Sequence, residues 1–135
     1  MKLAPGRLMG WSIPWRKKIR VVLGMLSIFW LVSGLVGFVR QDAAADILIS
    51  RGLSQEVALD MVLAGSVADI VVGVAVLVRS LARPALMAMF AITLLYMAAA
   101  TALAPDLWLD PLGAMVKAVP VLGLVLVALA ILEER

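Results

Sequence analysis

The sequence predicts an all-α fold: a membrane-spanning antiparallel four-helix bundle with both chain ends in the cytoplasm. Three observations carry that expectation. Hydrophobic residues make up 64% of the 135-residue chain, against roughly 45–50% in a soluble protein, and a domain this small could not bury that much apolar surface. They fall into four blocks, each near the ~20 residues needed to cross a hydrocarbon core. The stretches outside the blocks carry all the charges but Asp69 and Lys117, and four of the six prolines.

The first block, Val21 to Val39, is uncharged throughout. It follows a basic segment over residues 1–20 with Lys2, Arg7, Arg16, Lys17, Lys18 and Arg20, the usual character of a cytoplasmic anchor against anionic lipid. Ala43-Ala44-Ala45 resembles a signal cleavage site, but the apolar core exceeds the ~7–15 residues of a signal peptide, so a retained helix is expected. The second span is expected over about 61–78 and contains one acid, Asp69; the third, over 84–104, is uncharged. The fourth, over 112–132, carries Lys117 near its start. Residues 21–135 then form one transmembrane domain, with a short amphipathic helix expected between Asp42 and Asp60 that turns Leu48, Leu53 and Leu59 inward.

Orientation follows the basic residues of the short flanks. The 79–83 turn adds Arg79 and Arg83 to the basic N-terminal side. The 40–60 connection offsets Arg40 and Arg51 with Asp42, Asp46, Glu56 and Asp60, and the 105–111 connection has only Asp106 and Asp110. A multi-pass protein of the bacterial cytoplasmic (inner) membrane is expected.

Missing residue types narrow the chemistry. Without Cys there is no thiol nucleophile, disulfide relay or thiolate metal site, and without His no imidazole base, histidine-ligated haem or ordinary zinc site. No metal site and no catalytic constellation are expected. The positive charge is a membrane anchor and does not point to nucleic acid.

Asp69 is the most informative side chain. An acid inside a span costs about 2.5–3.5 kcal/mol on insertion scales and faces a bundle interior or cavity. Gly65 and Gly73 lie four residues to either side, on the stripe where small residues let another helix approach. Helical rise puts Asp69 about 13 Å below the outer end of its helix, Tyr96 about 12 Å, Trp30 and Ser33 about 13 and 9 Å, and Lys117 about 7 Å. These polar groups converge on the outer half of the bundle. A buried tyrosine hydroxyl seeks a partner, and Asp69 is the nearest by depth. Lys117 can pair with Asp69 or snorkel outward to water. Trp108 suits the interface. Pro120 removes one helical hydrogen bond, which at membrane depth is tolerated in protein or beside a cavity. Ser33-Gly34, Gly37 and Gly113 complete the small-residue helix-packing positions. The plainer role for Asp69 is a hydrogen-bonded strut.

The stretches SGLVGF at 33–38, DIVVG at 69–73, Tyr96 and the run PDLWLDPLGAMVKAVP at 105–120 resemble the DoxX-like family of four-helix integral membrane proteins. The resemblance implies a redox-associated membrane setting, with a non-covalently bound quinone as the conceivable cofactor. The expectation is a pocket for a quinone or lipid in the outer half, served by Asp69, Tyr96, Lys117, Trp108, Ser33 and Trp30. Its rivals are an accessory or assembly subunit of a membrane or cytoplasmic oxidoreductase, and a small proton-coupled transporter using Asp69.

Overall fold

The computed structural model describes residues 15–111 and 113–133, and these are helical apart from turns. Lys2 and Arg7 of the basic lead lie outside the described residues. Helix α1 runs Trp15–Val39, α2 Gln41–Ile49, α3 Gln55–Ala75, α4 Ala82–Leu103 and α5 Ala114–Glu133, with a 3-10 turn at Pro105–Trp108 before α5. Four of the helices, α1, α3, α4 and α5, are long and apolar enough to cross a membrane.

Boundaries differ from the hydropathy blocks for identifiable reasons. Helix α1 starts six residues before Val21, because Arg16, Lys17, Lys18 and Arg20 end the apolar run without ending the helix. Helix α3 starts at Gln55, where the Ser54 hydroxyl accepts a hydrogen bond from the Val57 N–H, an N-cap that hydropathy does not register. It ends at Ala75, short of the expected 78. Helix α4 accommodates Pro84 in its first turn, where no N–H is needed. Helix α5 begins after Gly113, whose φ of +61° belongs to the left-handed region that glycine enters without penalty. The expected short helix is α2; it buries Ala45 and leaves Leu48 half-buried.

Two helix pairs make up the bundle. Helix α1 packs most extensively on α3, α5 packs on α4, and α2 lies against α3. The α1–α3 approach is close because its contact stripes are small. A methyl group added at Gly34 would stand 2.7 Å from the Ser66 carbonyl oxygen, and one at Gly37 2.5 Å from the Ser66 hydroxyl oxygen. At Gly73 it would stand 3.0 Å from the Leu31 side chain. Close backbone approach of this kind is how helices associate where lipid removes the hydrophobic drive. The buried Ser27 hydroxyl fastens the pair by donating to the Gly73 carbonyl at 2.7 Å.

The apolar core comprises Ile19, Leu26, Trp30, Val72, Val76, Leu86, Met89, Val125 and Ala128. Most of it lies toward the end of the bundle where α1 begins and α5 finishes. There Arg83 of α4 donates to Glu133 of α5 at 2.9 Å. The opposite end is covered by α2 and the 3-10 turn. Large hydrophobics such as Val32, Leu35, Val36, Leu95, Leu126 and Val127 remain exposed on the outer helix faces. That pattern is costly in water and appropriate against acyl chains.

Candidate functional site

Asp69 projects from the small-residue stripe of α3 and is 5% exposed. Both carboxylate oxygens are engaged by hydroxyls from other helices. Ser33 of α1 donates to Oδ2 at 2.8 Å, and Tyr96 of α4 donates to Oδ1 at 3.1 Å. Gly65, one turn before Asp69, makes room for the tyrosine: a methyl group there would stand 2.8 Å from its hydroxyl oxygen. The two glycines flanking Asp69 therefore serve different neighbours, Gly73 admitting α1 and Gly65 admitting Tyr96.

The Ser33–Asp69–Tyr96 group forms a wall between two chambers. The first, of about 340 Å³, lies under α2 and the 3-10 turn. Beyond the wall, its lining comes from Gly37, Ile47, Leu48, Met61, Val62, Gly65, Ser66, Ala99, Leu103 and Leu107, with Arg51 as its basic residue. The second, of about 250 Å³, lies between α1, α4 and α5, lined by Phe29, Trp30, Thr93, Met97, Met115, Ala118 and Val121. Ser33, Asp69, Tyr96 and Ala100 line both. Small-molecule sites are mostly apolar, run to roughly 300–1,000 Å³ and carry a few placed polar groups. The two chambers have that character.

The remaining sequence-identified residues divide. Trp30 is 3% exposed and lines the second chamber, with no acceptor for its Nε1–H. Lys117 is exposed, lines neither chamber and forms no ion pair with Asp69, as outward snorkelling predicts. Trp108 lines neither chamber; its Nε1–H donates to the Thr101 hydroxyl at 3.0 Å, fastening the 3-10 turn to α4. Thr101 in turn donates to its own helix, to the Met97 carbonyl at 2.6 Å. A methyl group at Gly113 would meet Val116 of α5 at 4.0 Å and no other helix among the described residues, so its contribution is the turn into α5. Pro120 lies within α5, beside the second chamber's Val121.

Arg51 was not singled out by the sequence. Its guanidinium, which lines the first chamber, donates to both oxygens of Asp106 at 2.6 and 3.0 Å. The hydrogen bond and charge of Arg51 hold the Asp106 carboxyl below its ordinary range. The available signal was charge: of the two connections on one side, 40–60 holds Arg40 and Arg51 and 105–111 only acids. Ser27 and Ser66, which seat α1 on α3, had no comparable signal.

Four helices long and apolar enough to span, with large hydrophobic side chains on their outer faces, define a multi-pass membrane protein in contact with the lipid bilayer. The DoxX-like family model matches residues 27–126, well over half of the sequence, and the chain belongs to that family. The matched span contains Trp30, Ser33, Asp69 and Tyr96. Neither the curated proteins nor the solved structures include a match to this chain.

Proposed function

We propose that the protein binds a hydrophobic molecule, a quinone or a lipid, in the chambers beside Asp69, within a redox-associated setting of the bacterial inner membrane. The observation that carries this reading is the position of Asp69. It stands between two cavities, held by one hydroxyl from α1 and one from α4. A strut alone needs no cavity on either side of it. A ligand entering from lipid would find apolar walls and a few oriented hydroxyl and carboxyl groups, the arrangement that fixes one end of an otherwise greasy molecule. On the orientation expected from the basic flanks, the chambers open toward the outer face.

Transport across the bundle is less well supported. Toward the chain-end side, Leu26, Val72, Val76, Leu86, Met89 and Val125 close the interior with apolar packing. An oxidoreductase partner would give the bound molecule its chemistry, since the chain supplies no thiol or imidazole of its own.

Mass spectrometry of small molecules retained by detergent-purified protein tests the reading. Wild type should carry an enriched quinone or defined lipid that is diminished in Asp69→Asn and in Tyr96→Phe. Wild-type and variant preparations that are equally empty while folded would reject it and favour the accessory-subunit role.

A further inference from the structure

Among the described residues, the Trp30 indole is the buried side-chain donor left without an acceptor. Its surroundings make that unusual. Ser27, one turn earlier on α1, has found the Gly73 carbonyl, and the Trp108 indole has found Thr101 even at the exposed end of the bundle. Thr93, the buried hydroxyl that shares the second chamber, is turned onto its own helix and donates to the Met89 carbonyl at 2.8 Å. Buried N–H groups are almost always paired, and an unpaired one calls for an explanation. Packing alone does not supply it, because a phenylalanine would fill space there without carrying a donor.

The chamber's charge balance indicates what the donor is for. Among the described residues, Lys and Arg are missing from its lining, while Asp69 occupies the wall it shares with the first chamber. A fatty carboxylate or a lipid phosphate would meet a carboxyl group and no compensating cation, and burying such an anion is strongly unfavourable. A neutral molecule with an oxygen acceptor carries no such penalty, and Trp30, the bearer of the unpaired N–H, is among the lining residues. The apolar side chains of Phe29, Met97, Met115 and Val121 suit a flat or aliphatic body.

We propose that Trp30 is a specificity-determining residue: its indole N–H donates to a carbonyl oxygen of a neutral, apolar ligand seated in the second chamber. The proposal rests on the binding function proposed above and deepens it, since it selects neutral carbonyl compounds over anionic lipids and over plain hydrocarbons. Trp30 lies three residues from Ser33, so the two Cα atoms stand about 4.5 Å apart along the helix axis, and both side chains line the second chamber. A ligand can then reach the indole with one oxygen and the Tyr96–Asp69 group with another.

The test uses the full-length protein in detergent, labelled with 15N, and three ten-carbon-chain probes: decylbenzoquinone, decylbenzene and decanoate. The Trp30 indole signal is identified by its absence in Trp30→Phe, a variant that retains an aromatic ring in the core. Decylbenzoquinone should shift the Trp30 N–H signal downfield in a saturable manner, whereas decylbenzene should not shift it and decanoate should not bind. Trp30→Phe should bind the quinone probe roughly 3- to 10-fold more weakly, the effect of one neutral hydrogen bond, with little change in melting temperature. Equal quinone affinity in wild type and Trp30→Phe, with an unmoved wild-type indole signal, would overturn the role of Trp30 and leave the binding function standing. Decanoate binding as tightly as the quinone would overturn the selectivity for neutral ligands. If neither the quinone nor any other probe binds wild type, the proposed function fails as well.

Discussion

At the scale of single residues, the glycines of α1 and α3 separate stability from site geometry. A methyl group at Gly34 would meet the Ser66 backbone carbonyl oxygen, which can move only if α1 and α3 part. Gly34→Ala is therefore expected to destabilise the bundle by about 1–3 kcal/mol, the range for an overpacked interior, seen as a lower melting temperature in detergent. At Gly65 the obstacle is the far end of the Tyr96 side chain, which can swing aside. Gly65→Ala should melt close to wild type yet lose the 3.1 Å Tyr96–Asp69 hydrogen bond, and with it the retained ligand. Gly24 has nothing within 4 Å of its side-chain position, so Gly24→Ala serves as the control. It should be neutral or stabilising by up to ~1 kcal/mol through helix propensity. Equal melting temperatures for Gly34→Ala and Gly24→Ala would contradict the close α1–α3 contact.

Between elements, the Arg51–Asp106 pair joins the connection after α2 to the 3-10 turn over the first chamber. Both groups face water, so the pair should act more on the mobility of this cap than on global stability. Asp106→Asn is expected to speed amide hydrogen exchange in α2 at neutral pH, while amides in the middle of α3 exchange as before. Because Arg51 lowers the Asp106 pKa, the contribution is complete above the ordinary aspartate value of about 3.9. It is lost as pH falls through the depressed folded-state value. Between pH 5 and 8 the wild-type cap should thus be insensitive to pH, and only stronger acid should make it resemble Asp106→Asn. High salt should loosen it at any pH, since exposed charges are screened. An α2 exchange rate unchanged in Asp106→Asn would remove the pair's role as a latch.

For the whole molecule, the asymmetry between the two bundle ends is the controlling feature. Arg16, Lys17, Lys18, Arg20, Arg79 and Arg83 gather at the end with the closed apolar core, and the acid-rich connections cover the end with the chambers. By the positive-inside tendency the chambers are expected to face outward. The chain has no cysteine, so single-cysteine labelling can test this orientation directly. Leu109, 89% exposed in the turn before α5, should react with a membrane-impermeant maleimide on intact cells as Leu109→Cys. Ser80→Cys, in the turn between α3 and α4, should react only after the membrane is opened. The reverse pattern would place the chambers on the cytoplasmic side and require a ligand supplied from there.

Hydropathy and spacing by themselves determined the all-helical class, the four spans and the turning of Asp69 toward other helices, because the bilayer permits few solutions for long apolar blocks. Matching depths along helices of fixed rise also paired Asp69 with Tyr96 correctly. Helix ends were less legible, since Ser54 capping and the left-handed Gly113 act through backbone geometry that an apolar count does not sense. Lys117, on the same outer half as Asp69, is exposed and forms no ion pair with it, because depth along an axis does not specify rotation about it. Only the tertiary structure decided that Gly73 serves α1 and Gly65 serves Tyr96, that Arg51 reaches Asp106, and that Trp30 is buried without an acceptor. Each of these depends on how helices distant in sequence are rotated and spaced against one another, a property of the packed bundle that no single helix encodes.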